Sequence, residues 1–442
     1  MTTPGRRSMP EAAEDGTEDT GPGPATTSDV ALVPVSWGRV ALLVAATFGV
    51  AMALMVPMAF SLALRADQLA PGDEAAVAYI LGIGSVLSLI TGPPLGAFSD
   101  RTRSRLGRRA PFLIGGGLLG TAALFVMAYA PDITVLGVGW ALASLGWGTV
   151  LGTLNTLQAD RLSPSQRGRV AGLTGATTMV APVVGILLVS AVSDHNLLVF
   201  LLPGMLGAVL LAVLVVFVRE EDTRALAVPD DRITGRLLRA YLFDPRSYPD
   251  FAWHLLARFV FYYGQSLYTS FVTFFYAERL GLTLAEVAGL VAISGGISVV
   301  AMTAGTLGSG FLSDRLARRR PFTLAAAVIF AAGTIVSASS HALGGLLTGA
   351  ALMNLGIAVF SASSQATMLD VLPERETEAG RFLAIVALSQ KIPSALAPLT
   401  APCLIATAVA ADEENYTLLY LTSGVLGLLG GLIAFLKSEG VR

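Results

Sequence analysis

The chain has 442 residues, of which 54% are hydrophobic and only 14% charged, and its mean hydropathy is +0.68. Soluble domains keep about a quarter of their residues charged, so this composition excludes an ordinary soluble enzyme or nucleic-acid-binding module. The net charge of −2 says little, because the charges are segregated by loop, and the single cysteine, Cys403, excludes an intrachain disulfide or a cysteine metal site.

Residues 1–35 are rich in Pro, Gly, Thr and acids and offer no apolar stretch to bury, which predicts a disordered tail. The first apolar run that follows lacks a cleavage site and reads as a retained helix rather than a signal peptide. Twelve apolar runs are each long enough to cross about 30 Å of hydrocarbon. In chain order they are 38–63, 75–98, 111–130, 133–158, 170–192, 197–219, 251–276, 284–310, 321–340, 343–366, 380–408 and 415–436. The predicted fold is an all-α membrane protein of twelve transmembrane helices in two pseudo-symmetric six-helix bundles. Its domains are a tail (1–35), a first bundle (36–219), a linker (220–250), a second bundle (251–437) and a short C-terminus (438–442).

The loops sort by charge. All but four of the 29 lysines and arginines fall on one side; Arg65 and Arg279 lie on the other, and Arg258 and Lys391 inside spans. Basic loops stay cytoplasmic, which predicts that both termini and the linker face the cytoplasm of a plasma-membrane protein. In the linker, Ile233, Leu237, Leu238, Tyr241 and Leu242 share a helical face, with Arg232, Arg236 and Arg239 elsewhere. That pattern suits a helix lying on an anionic lipid leaflet.

One phrase occurs twice. Gly96-Ala-Phe-Ser99-Asp100-Arg101 leads to Gly107-Arg108-Arg109-Ala110-Pro111-Phe112, and Gly310-Phe-Leu-Ser313-Asp314-Arg315 leads to Arg318-Arg319-Arg320-Pro321-Phe322. A second phrase recurs around Asp160 and Asp370, at matching distances once the longer basic loop of the first copy is allowed for. Duplicated halves of this kind are how secondary transporters build a site that opens to either side. The first phrase resembles the cytoplasmic loop signature of the major facilitator superfamily. Its longer form, with Arg103 and Arg105 before Gly107, is similar to plant sucrose transporters and to the glycoside–pentoside–hexuronide cation symporters. The second copy has Ala317 where the short signature has glycine.

The resemblance implies a gate rather than catalysis. Asp100, with Asp314 as its pseudo-symmetric partner, is expected to cap a neighbouring helix and pair with arginines of the set Arg101, Arg108, Arg109 and Arg315. Asp160 with Arg167 and Arg169, and Asp370 with Arg375 and Arg381, read as a second pair of gate charges. The bland alternative is that these charges only enforce topology.

In that superfamily helices 1, 4, 7 and 10 line the cavity. On the seventh span His254, Arg258, Tyr262, Gln265 and Thr269 fall within a narrow arc, in aromatic surroundings. The fourth aligns Trp140, Ser144, Trp147 and Gln158, with Asn155 nearby, and the tenth aligns Asn354, Ser361 and Gln365. Aromatic faces with amides and hydroxyls suit a small polyol or glycoside; interhelical hydrogen bonding is the plainer reading. The expected substrate contacts are Tyr262, Gln265, Arg258, Asn354, Asn155, Trp147 and Lys391, although snorkelling to the interface accounts equally for Arg258.

Lys391 is the outlier, about 11 residues or roughly 16 Å into its span. Every acid falls in a loop, in the tail or at a span end; Glu286, three residues after Thr283, reads as a capping box. A buried lysine without a buried carboxylate invites an anionic substrate or a titrating switch. Sodium would find no anionic ligand in the core, so protons would have to couple through His254, Lys391 or the gate aspartates.

The preferred reading is therefore a monomeric secondary transporter of a sugar, glycoside or sugar acid, coupled to protons and using no cofactor or metal. Facilitated diffusion remains open. An efflux antiporter of the same fold is the first alternative; its helix-5 motif is matched only in part by Ala181-Pro182-Val-Val-Gly185. A non-transporting sensor is the second. No nucleophile–base set, phosphate loop or metal-ligand spacing supports an enzyme.

Overall fold

The computed structural model describes residues 35–71, 73–218, 222–224, 243–316, 320–373, 379–406 and 416–437. The predicted tail, except Val35, which hydrogen-bonds Gln166, and the amphipathic part of the linker lie outside the described residues.

Within them the chain forms twelve helices and no strand. They are α1 Trp37–Leu69, α2 Glu74–Arg101, α3 Ala110–Ala128, α4 Ile133–Arg161, α5 Pro164–Ser190 and α6 Asn196–Phe217. The second half contributes α7 Pro249–Leu280, α8 Leu284–Leu316, α9 Arg320–Ser339, α10 Leu343–Asp370, α11 Ala379–Ala406 and α12 Tyr416–Leu436. All but α7 are long and apolar enough to cross a membrane. Helix α7 has the length but also carries Asp250, His254, Arg258, Glu278 and Arg279.

Local chemistry fixes the helix ends. Asp73 and Asp132 cap α2 and α4, their carboxylates accepting from the backbone N–H groups of Ala76 (3.1 Å) and Val135 (2.9 Å). The capping box at α8 forms as the sequence predicts: the Thr283 N–H donates to Glu286 at 2.8 Å, and the Glu286 N–H donates back to the Thr283 hydroxyl at 3.4 Å. In the loop before α3, Gly107 sits at φ 93°, a conformation open to glycine and costly for other residues. That turn aims Arg108 and Arg109 back at the bundle.

The packing repeats from one half to the other. In the first half α3 lies on α4 and α6, α1 on α5 and α6, and α2 on α4; the same pattern holds for α7–α12 with each number raised by six. Small residues make the closest seams. A Cβ at Gly146 of α4 would stand 2.7 Å from the Gly116 carbonyl oxygen of α3, and one at Gly333 of α9 would stand 2.8 Å from that of Gly349 in α10. Between helices in lipid, such close contact replaces the hydrophobic drive that water would supply. The result is two pseudo-symmetric six-helix bundles.

The bundles meet along α2–α11 and α5–α8. Gly82 of α2 lies against Leu399 of α11, and a Cβ at Gly295 of α8 would stand 2.9 Å from Val183 of α5. All four residues lie in the half of the helices away from the basic loops. Near the same end, α1 passes through a single π-turn, Pro57–Ser61, within which the Ala59 carbonyl accepts from the Thr273 hydroxyl of α7 at 3.0 Å. At the basic end, by contrast, no atom of the described residues stands within 4 Å of a Cβ built on Gly92 or Gly96 of α2. The bundles are closed at one face and parted at the other.

The two ends of the linker dock on different bundles. Thr223 hydrogen-bonds the α2–α3 loop through Ser104 (3.2 Å), beside an Asp222–Arg224 pair. Phe243, Tyr248 and Phe251 pack edge-on around one another and Phe382 of α11. In the same segment the hydroxyl of Ser247 holds the Asp244 carboxyl below its usual range.

Candidate functional site

A cavity of about 490 Å³ lies between the bundles and runs to the basic face. Its wall is mostly first-half: Leu54 and Met58 of α1, the α2 face from Gly84 to Ser99, and the α4 face from Trp140 to Thr156. The second half contributes Lys391 and Ser394 of α11. Hydroxyls dominate the polar part, with Ser85, Ser88 and Thr91 on α2 and Ser144, Thr149, Thr153 and Thr156 on α4. Several threonines already spend their proton on the carbonyl four residues back, as Thr149 does on Leu145 and Thr153 on Thr149. Pro93 and Pro94 interrupt the hydrogen-bond ladder of α2 where it borders the cavity.

Lys391, deep in its span, is exposed into this space rather than buried as the sequence suggests, and its ammonium has no partner among the described residues. Deep on the opposite wall, the Trp140 indole nitrogen and the Ser144 hydroxyl lie against Gly84, buried and without a hydrogen-bond partner.

The other expected contacts occupy different places. Arg258 does not snorkel: it is 5% exposed, its Nη1 donates to Ser364 of α10 at 2.6 Å and its Nε to Ser389 of α11 at 3.2 Å. Its guanidinium also lies 5.2 Å from the centre of the Tyr262 ring, which is itself buried edge-on to Phe360. Asn354 donates to the Tyr268 hydroxyl (3.2 Å) and to the Ala350 carbonyl. These groups bind α7, α10 and α11 to one another. Trp147 is fully buried over Gly120 of α3, inside the first bundle rather than on the cavity wall. Gln265 is half-buried with its Oε1 unpaired, and Asn155 is exposed; neither borders the cavity, nor does the buried His254.

At the cavity mouth Asp160, at the end of α4, turns to α3 rather than to Arg169. Its carboxylate accepts from Arg108 (2.9 Å) and from Arg109 (3.0 Å), and Arg109 also donates to Ser99 of α2 at 2.9 Å. Arg109 is 3% exposed, so this node joins the basic ends of α2, α3 and α4 within the first bundle. Arg169 is exposed, and Arg381 lies over the Phe382 ring. Asp370 is exposed and Arg101 half-buried. The side chains of Asp100, Arg167, Asp314 and Arg315, and the whole of Arg375, lie outside the described residues.

The α2 wall was missed in the sequence, although Ser85, Ser88, Gly92 and Ser99 form one helical stripe that signals it. Among the described residues no cluster of His, Cys, Asp or Glu fits a metal ion.

Two pseudo-symmetric bundles around a cavity open at one face are an architecture found in secondary transporters. The profile of the Major Facilitator Superfamily matches residues 40–398, with a further match over 296–441, and the chain belongs to that superfamily. It is a multi-pass membrane transporter of a small solute. Over 87 residues it is 38% identical to the general alpha-glucoside permease of Schizosaccharomyces pombe, a stretch covering 20% of this chain and 14% of that protein. In fold it is similar to the nucleoside transporter NupG, with a TM-score of 0.72 at 13% identity over 91% of this chain and 99% of that one. It is also similar to a bacterial homologue of the human lysosomal transporter Spinster, solved inward-facing and unoccupied. There the TM-score is 0.68 at 14% identity, over 91% of this chain and 97% of the other.

Proposed function

We propose that this carrier moves a sugar, glycoside or sugar acid across the plasma membrane by rocking its two bundles about the central cavity. The observation that carries this reading is the wall itself: a lining of serines and threonines with one indole, of a size suited to a single polyol-like molecule. The partial likeness to an alpha-glucoside permease supports the same solute class.

With the basic loops cytoplasmic, both termini face the cytoplasm and the parted end of the bundles is the cytoplasmic one, so the structure is in an inward-facing state. Thr273 and Ala59, with the Gly82–Leu399 contact, then form the outer gate. Asp160, Arg108 and Arg109 brace the inner end of the first bundle, and Asp100 and Asp314 are the expected latches that fasten the bundles when the inner side closes. Arg258, Tyr262 and Asn354 stiffen the second bundle's wall against which the solute rests. Coupling is to protons, and the carrier works as a monomer.

Uptake by purified protein in liposomes, with and without an inward proton gradient, tests this reading. Accumulation of a sugar-class solute that collapses with the gradient supports it. Equilibration without accumulation removes the proton step, and failure of every sugar, glycoside and sugar acid to enter removes the solute class.

A further inference from the structure

We infer that the solute is an anion, a small hydroxylated carboxylate whose charge is met by Lys391; this rests on the cavity being the transport site.

The wall carries two cations, and they differ. Arg109 is neutralised by Asp160. Lys391 has no partner among the described residues, and no carboxylate is found on the described wall. Among the described residues the wall therefore holds one cation, Lys391, that no carboxylate meets.

Apart from Arg109 the rest of the described lining is neutral. It offers the hydroxyls of Ser85, Ser88 and Thr91 on α2 and of Thr149, Thr153 and Thr156 on α4, while the unpaired Trp140 Nε1 and Ser144 Oγ lie buried against Gly84 of α2. A solute with a carboxylate at the Lys391 end and hydroxyl groups along the other fits this lining; a cation does not.

Translocation sharpens the requirement. In the present state water reaches Lys391 through the open end. When the bundles close around the cavity that water is lost, and an unpaired ammonium in a low-dielectric interior is heavily penalised. A carboxylate travelling with the solute removes the penalty, whereas a neutral sugar leaves it in full. Lys391 thus selects for charge by deciding which loaded carrier can close.

Binding to the purified full-length protein, read by calorimetry, tests the inference independently of movement. The probes are hexuronates and aldonates set against the neutral hexoses of the same carbon skeletons. A charge-assisted contact is worth about ten- to hundredfold in affinity. We expect the acids to bind at least about tenfold more tightly than their neutral parents. Lys391→Gln should erase that preference and Lys391→Arg should keep most of it; the melting temperature of each variant shows that it is folded. Equal binding of neutral and acid members, no binding of any acid, or an unchanged preference in Lys391→Gln would overturn the inference. Acid binding that depends on Lys391 without uptake into liposomes would retain it and overturn the transport reading instead. Uptake of neutral sugars alone would do the reverse.

Discussion

Replacing Thr273 by valine changes one hydroxyl for a methyl group and nothing else of consequence in size. In the present state that hydroxyl bridges the bundles, donating to the Ala59 carbonyl at 3.0 Å. The acceptor lies within the π-turn Pro57–Ser61. A hydrogen bond of this kind contributes about 1 kcal/mol net. When the outer face opens, water replaces the hydroxyl at Ala59, so the outward-facing state loses nothing. The substitution should therefore move the equilibrium toward the outward-facing state by about fivefold, since ~1.4 kcal/mol is tenfold. Spin labels at Asp67 and Glu278, which flank the outer ends of α1 and α7, read the two populations by their separation in a Cys403→Ser background. The longer separation should gain about fivefold in weight in Thr273→Val. A distance distribution identical to that of the parent would refute the outer-gate role of this contact.

Other consequences are sharper in stability or kinetics. Asp160→Ala leaves the buried Arg109 guanidinium without its carboxylate, a loss of about 3 kcal/mol, near the low end for such pairs because Asp160 is 26% exposed; a melting temperature unchanged from the parent would contradict this. Gly107→Ala forces a Cβ into a turn at φ 93° at a cost of about 1–2 kcal/mol, to be seen as faster proteolysis of the 102–108 loop with the helices intact. An unpaired Lys391 hinders closure of the empty carrier, so solute on the far side should speed efflux of labelled solute several-fold; equal rates with and without it would exclude that hindrance. Arg258→Ala takes from the buried Ser364 hydroxyl its Arg258 donor and leaves Ser389 with its bond to the Val386 carbonyl, with an expected loss of about 1–3 kcal/mol. Retention of the parent melting temperature would show that these bonds do not brace α7 against α10 and α11.

The helices were legible because their signals are local. Runs of apolar residues, basic clusters on one side and the Thr283–Glu286 box each act over a few turns, and they placed even α7, whose charges dilute its hydropathy. The duplicated phrase carried the two-fold relation, since equal spacing in sequence becomes equal packing in space. Lys391 also stood out, because a charge that deep has few explanations. The cavity wall was another matter. Trp140 and Trp147 share a helical stripe, yet a glycine on a different helix, Gly120, lets Trp147 bury itself while Trp140 borders the cavity. Arg258 and Asp160 find partners 131 and 51 residues away, on helices that spacing along one segment does not reveal. Small hydroxyls on α2 carry little weight in a sequence, and their importance comes from what faces them.

The account rests on a cavity that faces each side of the membrane in turn, and locking the outer gate tests this most directly. In the Cys403→Ser background, Ala59→Cys and Thr273→Cys place a disulfide across the contact between α1 and α7, and uptake of labelled sugars and sugar acids into liposomes is followed before and after reduction. The account predicts uptake that falls to background with the bond formed and returns when it is reduced. Uptake undiminished in fully cross-linked protein would show that the bundles need not part at this face, and alternating access about this cavity would be contradicted.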